Sequence, residues 1–171
     1  MSELSDLLER FRRGAELLAV ATTGAAGPEL DFKASPEQWC VRQVVCHLAD
    51  SEVVGVMRLR QVLAEENPML PAFNGDLWAE KLDYAKRKIS QPLESFRRLR
   101  AENYELLKDL PEAAFERKGT HSENGVLTLR ELLKGSAEHA EEHVQQIARI
   151  RAAYRQHRAQ QASPANPVPA A

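Results

Sequence analysis

Residues 128–154 read TLRELLKGSAEHAEEHVQQIARIRAAY. Thr128 with Glu131 three residues on is the pattern of a capping box, in which the two side chains satisfy orphan backbone N–H groups at a helix start. From Leu129 onward, a turn of about 100° per residue puts Leu132, Leu133, Ser136, Ala140, Val144, Ile147, Ile150 and Tyr154 on one stripe. The spacing predicts a long amphipathic helix to about Tyr154, burying that stripe. His143 falls on the stripe and His139 at its edge, whereas Glu138 and Glu141 point to solvent and Glu142 flanks them. Two imidazoles four residues apart lie one turn along the same face and can reach one ion, as in helical zinc motifs. The spacing also arises by chance. The competing reading is a pair of satisfied core histidines, and a third ligand from another helix would separate the two.

Three more helices can be read upstream. About Pro92 to Leu110 carries Leu93, Phe96, Leu99, Leu106, Leu107 and Leu110 on one stripe, with Asn103 in its middle. A second helix is expected from SPEQW, with Ser35 as N-cap, Pro36 at the first helical position and Gln38 at the third, running to about Glu66. The first spans about Ser2 to Thr22, with Leu4, Leu7, Leu8, Phe11, Ala15, Leu18 and Ala19 in register. Strand signals are few. Four amphipathic helices imply an all-α protein, a four-helix bundle. The connection NPMLPAFNGDLWAEKLDYAKRKIS, residues 67–90, is too long for a plain turn and permits a crossover. It contains Phe73, Trp78 and Tyr84; Trp78 and Tyr84 read first as anchors into the core, with a substrate cage as the alternative. The expected domain is 1–155, followed by a polar, then Pro/Ala-rich disordered tail over 156–171.

Composition narrows the function classes. At 171 residues the chain is long enough for one core. A formal charge of −2 gives no basic excess for nucleic acid. No apolar run approaches the roughly 20 residues of a membrane span, and the charged start MSELSDLLERFRR does not resemble a signal peptide. A cytoplasmic protein is expected, with no nucleic-acid or membrane partner. Cys40 and Cys46 point to different sides of a helix and should stay reduced.

The third ligand sought for His139 and His143 has one good candidate. His47 lies on the apolar arc of the second helix, in CHLADSE. Three imidazoles with an open fourth position make a catalytic type of metal site. Cys40 shares the azimuth of His47 but sits about 10 Å away by helical rise, too far to join. Arg58 also shares it, about 16 Å along, and reads first as an interhelical ion pair or a snorkelling side chain. Glu52 reads the same way. Asn103 could be a buried hydrogen-bonding residue or could orient a ligand histidine. His121, in GTHSENG, reads as a turn residue that could also reach the site, and His157 lies in the frayed end. The sequence has no Gly-rich phosphate loop and no serine or cysteine set beside a plausible base.

WCVRQVVCHLADSE, then LPAFNGDLWAEKLDY, then HSENGVLTLRELLKGSAEHAEEHVQQI resemble the DinB/YfiT-like superfamily across about residues 1–155. The carrying features are the histidine of HLADSE, the closing H-x-x-x-H-x-x-Q-I, and H-x-x-x-G-x-x-T-L before the last helix. The resemblance implies a four-helix bundle with one crossover, a homodimer, and a divalent metal, zinc or nickel, on His47, His139 and His143. It also implies a small-molecule substrate, with a low-molecular-weight thiol or water as the activated partner in S-transfer or hydrolysis. The alternative is a non-catalytic metal-binding or stress-related bundle. YfiT-like members often carry a further histidine beside the last one, where this chain has Glu142.

Overall fold

The computed structural model describes residues 2–162. In chain order it has α1 (Glu3–Thr22), α2 (Pro28–Asp31), α3 (Val41–Ala64), β1 (Met69–Leu70), α4 (Gly75–Lys81), α5 (Ser90–Leu107), β2 (Lys118–His121), β3 (Gly125–Thr128) and α6 (Leu129–Ala162). The four long helices α1, α3, α5 and α6 form the bundle. Helix α1 adjoins α5 and α6, and α3 adjoins the same two, so α1 and α3 stand diagonally.

Two apolar clusters give the helix directions. In one, Leu4, Leu8 and Phe11 pack with Leu59 and Val62 of α3, Leu107 of α5, and Leu129 and Leu133 of α6. In the other, Leu18 packs with Val41, Val44 and Val45, with Phe96, and with Ala140 and Ile147. Helices α1 and α6 therefore run from the first cluster to the second, and α3 and α5 run back. Because α3 and α5 are parallel neighbours, the chain between them must return along the bundle. The crossover expected from the length of the 67–90 segment is thus a topological requirement.

A buried polar layer ties the bundle together. Arg100 is 2% exposed. Its Nε donates to Glu52 Oε1 at 3.0 Å, its Nη1 to the Phe11 carbonyl at 2.9 Å, and its Nη2 to the Ser136 carbonyl at 3.4 Å. Phe11 and Phe96 cover the two sides of the guanidinium. One side chain of α5 thereby reaches all three other bundle helices. Glu52 is the interhelical ion pair expected of it. A Cβ added at Gly14 would stand 2.9 Å from Arg100 Nη1, so the glycine makes room for the layer.

Several boundaries differ from expectation. Helix α3 begins at Val41, not after Ser35. SPEQ instead forms a turn closed by Gln38 N–H to the Ser35 carbonyl, and the capping box is made by Cys40 and Gln43. Proline favours the second position of a turn and the first of a helix for the same fixed φ, so the local signal reads both ways. Helix α6 continues to Ala162, past the boundary expected at 155, and the rest of the expected tail lies outside the described residues. Its start is as expected, with Thr128 N–H and Oγ1 both donating to Glu131 at 2.8 Å.

A small sheet also interrupts the expected all-helical pattern. Strands β2 and β3 form a hairpin, and β1, from the crossover, pairs parallel with β2 so that Leu70 faces His121. Such short strands leave little periodicity to read. The crossover is anchored as expected at Tyr84, which is fully buried and donates to Asp50 at 2.7 Å. Trp78 packs on Phe73. Both cysteines are free and buried.

Candidate metal centre

His47 reaches inward from α3, and His139 and His143 from α6. These two helices are antiparallel neighbours, so residues 92 positions apart in the chain meet. His139 Nε2 is 3.1 Å from His47 Nε2 and 3.1 Å from His143 Nε2. One ligand atom from each of the three residues falls within 4.8 Å of the others, a grouping able to hold a metal ion.

The hydrogen-bond inventory explains why such a cluster suits a cation. His143 Nδ1 is 2.7 Å from Gln146 Oε1. Donating there puts the proton on Nδ1 and leaves a bare lone pair on Nε2, aimed at the cluster. A neutral imidazole has one N–H, so His139 Nε2 can donate to only one of its two neighbours. His47 Nδ1 is buried and has no hydrogen-bond partner among the described residues. Three Nε2 atoms in one place, whose contacts their own protons cannot all satisfy, form a donor set suited to a divalent cation.

Burial also sets their protonation. Desolvation first, then the like charge of His143, lowers His47 from 6.5 to about 4. Desolvation, then His143, His47 and Arg100, lowers His139 to about 3. His143 is lowered by desolvation, against the opposing pull of Gln146 and Glu142. The imidazoles are therefore neutral at neutral pH, the form that ligates.

The surroundings come from the crossover and from the N-terminal approach to α3. The Trp39 ring lies 4.8 Å edge-on from His47, and Phe73 stacks at 6.1 Å. Gly75, at the start of α4, packs tightly on the ring: a Cβ there would sit 3.0 Å from His47 Cε1, so a side chain would force a small shift. Ser51 Oγ is 3.3 Å from His47 Nε2.

A cavity of about 340 Å³ opens beside the cluster, with His139 and Ser51 at one end and Arg58 and His121 in its lining. His143 borders a second opening on the other side, with Trp39 and Gln146. Arg58 thus lines the cavity and does not form the interhelical ion pair expected first. His121 is both things expected of it: its Nδ1 accepts the backbone N–H groups of Glu123 and Asn124, and its ring lines the cavity. Glu52 is held by Arg100 instead. Asn103 is fully buried on α5 and accepts from Arg60, so it orients none of the histidines. Cys40 stands outside the cluster, as its distance along the helix implied. Sequence reasoning did not select Ser51, Gly75 or Gln146. Ser51 and Gln146 follow a histidine by four and three residues on the same helix, a spacing that could have flagged them.

The family model of the DinB superfamily matches residues 10–147, which reach all four bundle helices and contain the three histidines. A protein of Oceanobacillus iheyensis named "Putative metal-dependent hydrolase" is 32% identical over 122 residues, 71% of this chain and 70% of its own length. YfiT of Bacillus subtilis, with the same descriptive name, is 29% identical over 123 residues, 71% of this chain and 69% of its own. The solved structure of YfiT, described as "a probable metal-dependent hydrolase with an unusual four-helix bundle topology", aligns with a TM-score of 0.81 at 26% identity. It covers 88% of this chain and 87% of that one. Sequence and fold agree: this chain belongs to the DinB superfamily.

Proposed function

We propose that the protein is a divalent-metal-dependent enzyme acting on a small electrophilic molecule in the cavity beside His139. It would hydrolyse that molecule or join it to a low-molecular-weight thiol. The observation that carries this reading is the convergence of three Nε2 atoms beside a cavity of small-molecule size. His47, His139 and His143 would hold the ion, zinc or nickel by donor type. Bound there, a divalent ion supplies Lewis acidity and brings the pKa of water or a thiol towards neutrality.

The protein's own groups do the remaining work. Gln146 fixes the ring of His143 through Nδ1. Phe73 and Trp39 shield His47 from water. Ser51 Oγ borders both the cluster and the cavity, where it can hydrogen-bond a nucleophile or a leaving group. The names of the relatives support hydrolysis, and the thiol option rests on the family resemblance. A cytoplasmic homodimer belongs to the same proposal. No helix among the described residues is long and apolar enough to cross a membrane.

The test is elemental analysis of untagged protein. Wild type should carry about one divalent ion per chain, and His143→Ala should lose it. Metal-loaded wild type should then turn over a panel of esters, amides or thiol acceptors. A wild-type chain that stays metal-free after reconstitution with zinc and with nickel would remove the basis of the mechanism.

A further inference from the structure

The cavity beside the histidines exists because small residues face each other across it. On α3, Ser51 and Gly55 line it, and on α6, Gly135 and Ser136. A Cβ at Gly55 would make ordinary contact with Ser136 Oγ at 3.6 Å, and one at Gly135 would meet nothing within 4 Å. Elsewhere along the α3–α6 seam, leucine and valine fill the equivalent space.

The end of the cavity away from the histidines carries positive charge and N–H donors. Arg58 follows Ser51 by seven residues on α3, about 10 Å of helical rise. Its Nη2 donates to the Pro71 carbonyl of the crossover, which pins the side chain. Its Nε is buried and has no partner among the described residues. Among the described residues no carboxylate forms an ion pair with it. Glu123 acts on it only at a distance, and desolvation outweighs that field and lowers its pKa. Glu131 also lines the cavity, but its Oε2 is taken up by Thr128 N–H and Oγ1. His121 stands beside Arg58. Because its Nδ1 accepts two backbone N–H groups, its proton lies on Nε2 and the neutral ring is a donor there. Asn124 adds an amide to the same wall. A half-buried guanidinium with an unused N–H is costly unless an anion completes it.

We infer that Arg58 and His121 form an anion subsite, so that the substrate is a small molecule carrying a carboxylate or similar oxyanion within about 10 Å of its reactive group. This deepens the enzyme reading, since it assigns a substrate class to the same cavity, but the subsite itself does not depend on the metal. Arg58 and His121 bind and orient; neither reaches the reacting end.

The test is calorimetric titration of the full chain in two forms. Protein stripped with chelator is titrated with hexanoate and with the neutral hexanamide. Nickel-loaded protein is titrated with mercaptohexanoate and with its methyl ester. In each form the acid should bind about tenfold tighter or more than its neutral counterpart, as a charge-assisted hydrogen bond would give. Arg58→Gln should abolish that preference, and Arg58→Lys should keep part of it, with nickel content unchanged in both variants. Equal binding of acid and neutral probe, no saturable binding of either, or a preference that survives Arg58→Gln would overturn the subsite. A chain that takes up neither nickel nor zinc but keeps the preference in chelator would refute the metal-enzyme reading and leave the subsite standing. One that takes up nickel without the preference would do the reverse.

Discussion

At the scale of the residue, the decisive fact is that the three imidazoles are held neutral. His47 and His139 have folded-state pKa values of about 4 and about 3, against 6.5 for the free side chain. Between those values the unfolded chain binds protons that the folded chain does not, so folding becomes weaker as pH falls. The stability of chelator-treated protein should therefore be flat above about pH 7 and decline as pH drops from about 6.5 towards 4. Urea unfolding across that range measures it directly. Replacing His139 by Gln should flatten the decline, because the strongest contributor is gone; an unchanged slope in that variant would refute the assignment.

At the scale of the element, the short helix α4 matters through its first residue. Gly75 packs flush on His47, where an added Cβ would meet Cε1 at 3.0 Å and Nδ1 at 3.2 Å. Substituting alanine forces the ring or the helix start to shift by a few tenths of an ångström. A ligand displaced from its productive orientation binds metal less well, and losses of about 10–100-fold follow comparable disturbances of supporting residues. Gly75→Ala is expected to lose metal affinity in that range while keeping wild-type helical content. Competition against a chelator of known affinity, beside circular dichroism, would show it. Unaltered affinity would mean that α4 is only a cover.

At the scale of the whole molecule, Arg100 and Glu52 join the four helices at the level where the two apolar clusters meet. A buried pair of this kind is weak evidence of stabilisation in itself, but removing one partner strands the other charge, typically at a cost of about 3–5 kcal/mol. Glu52→Ala should lose stability of that order by denaturant unfolding, because Arg100 is 2% exposed and pairs with no other carboxylate among the described residues. A double replacement of Glu52 and Arg100 by apolar residues of similar volume should recover much of the loss. If Glu52→Ala proved neutral, water would have to reach the guanidinium, against the packing of Phe11 and Phe96 on both its sides.

The four long helices are legible in the sequence alone, since each stripe repeats over many turns and is set by local spacing. It determined the start of α6, because both halves of that capping box lie within one turn. It also placed His47, His139 and His143 on inward faces from azimuth alone and offered them as one candidate site, which the family resemblance then matched. Long-range packing settles that α3 and α5 run parallel, that SPEQ is a turn and not a helix start, and that β1 joins a hairpin some fifty residues away. Those outcomes rest on contacts between distant segments, or on local signals that serve two geometries equally well. The roles of Arg58 and His121 belong there too. The azimuth of Arg58 was visible in the sequence, but whether a carboxylate waited opposite it depended on how the crossover and the hairpin closed over the bundle.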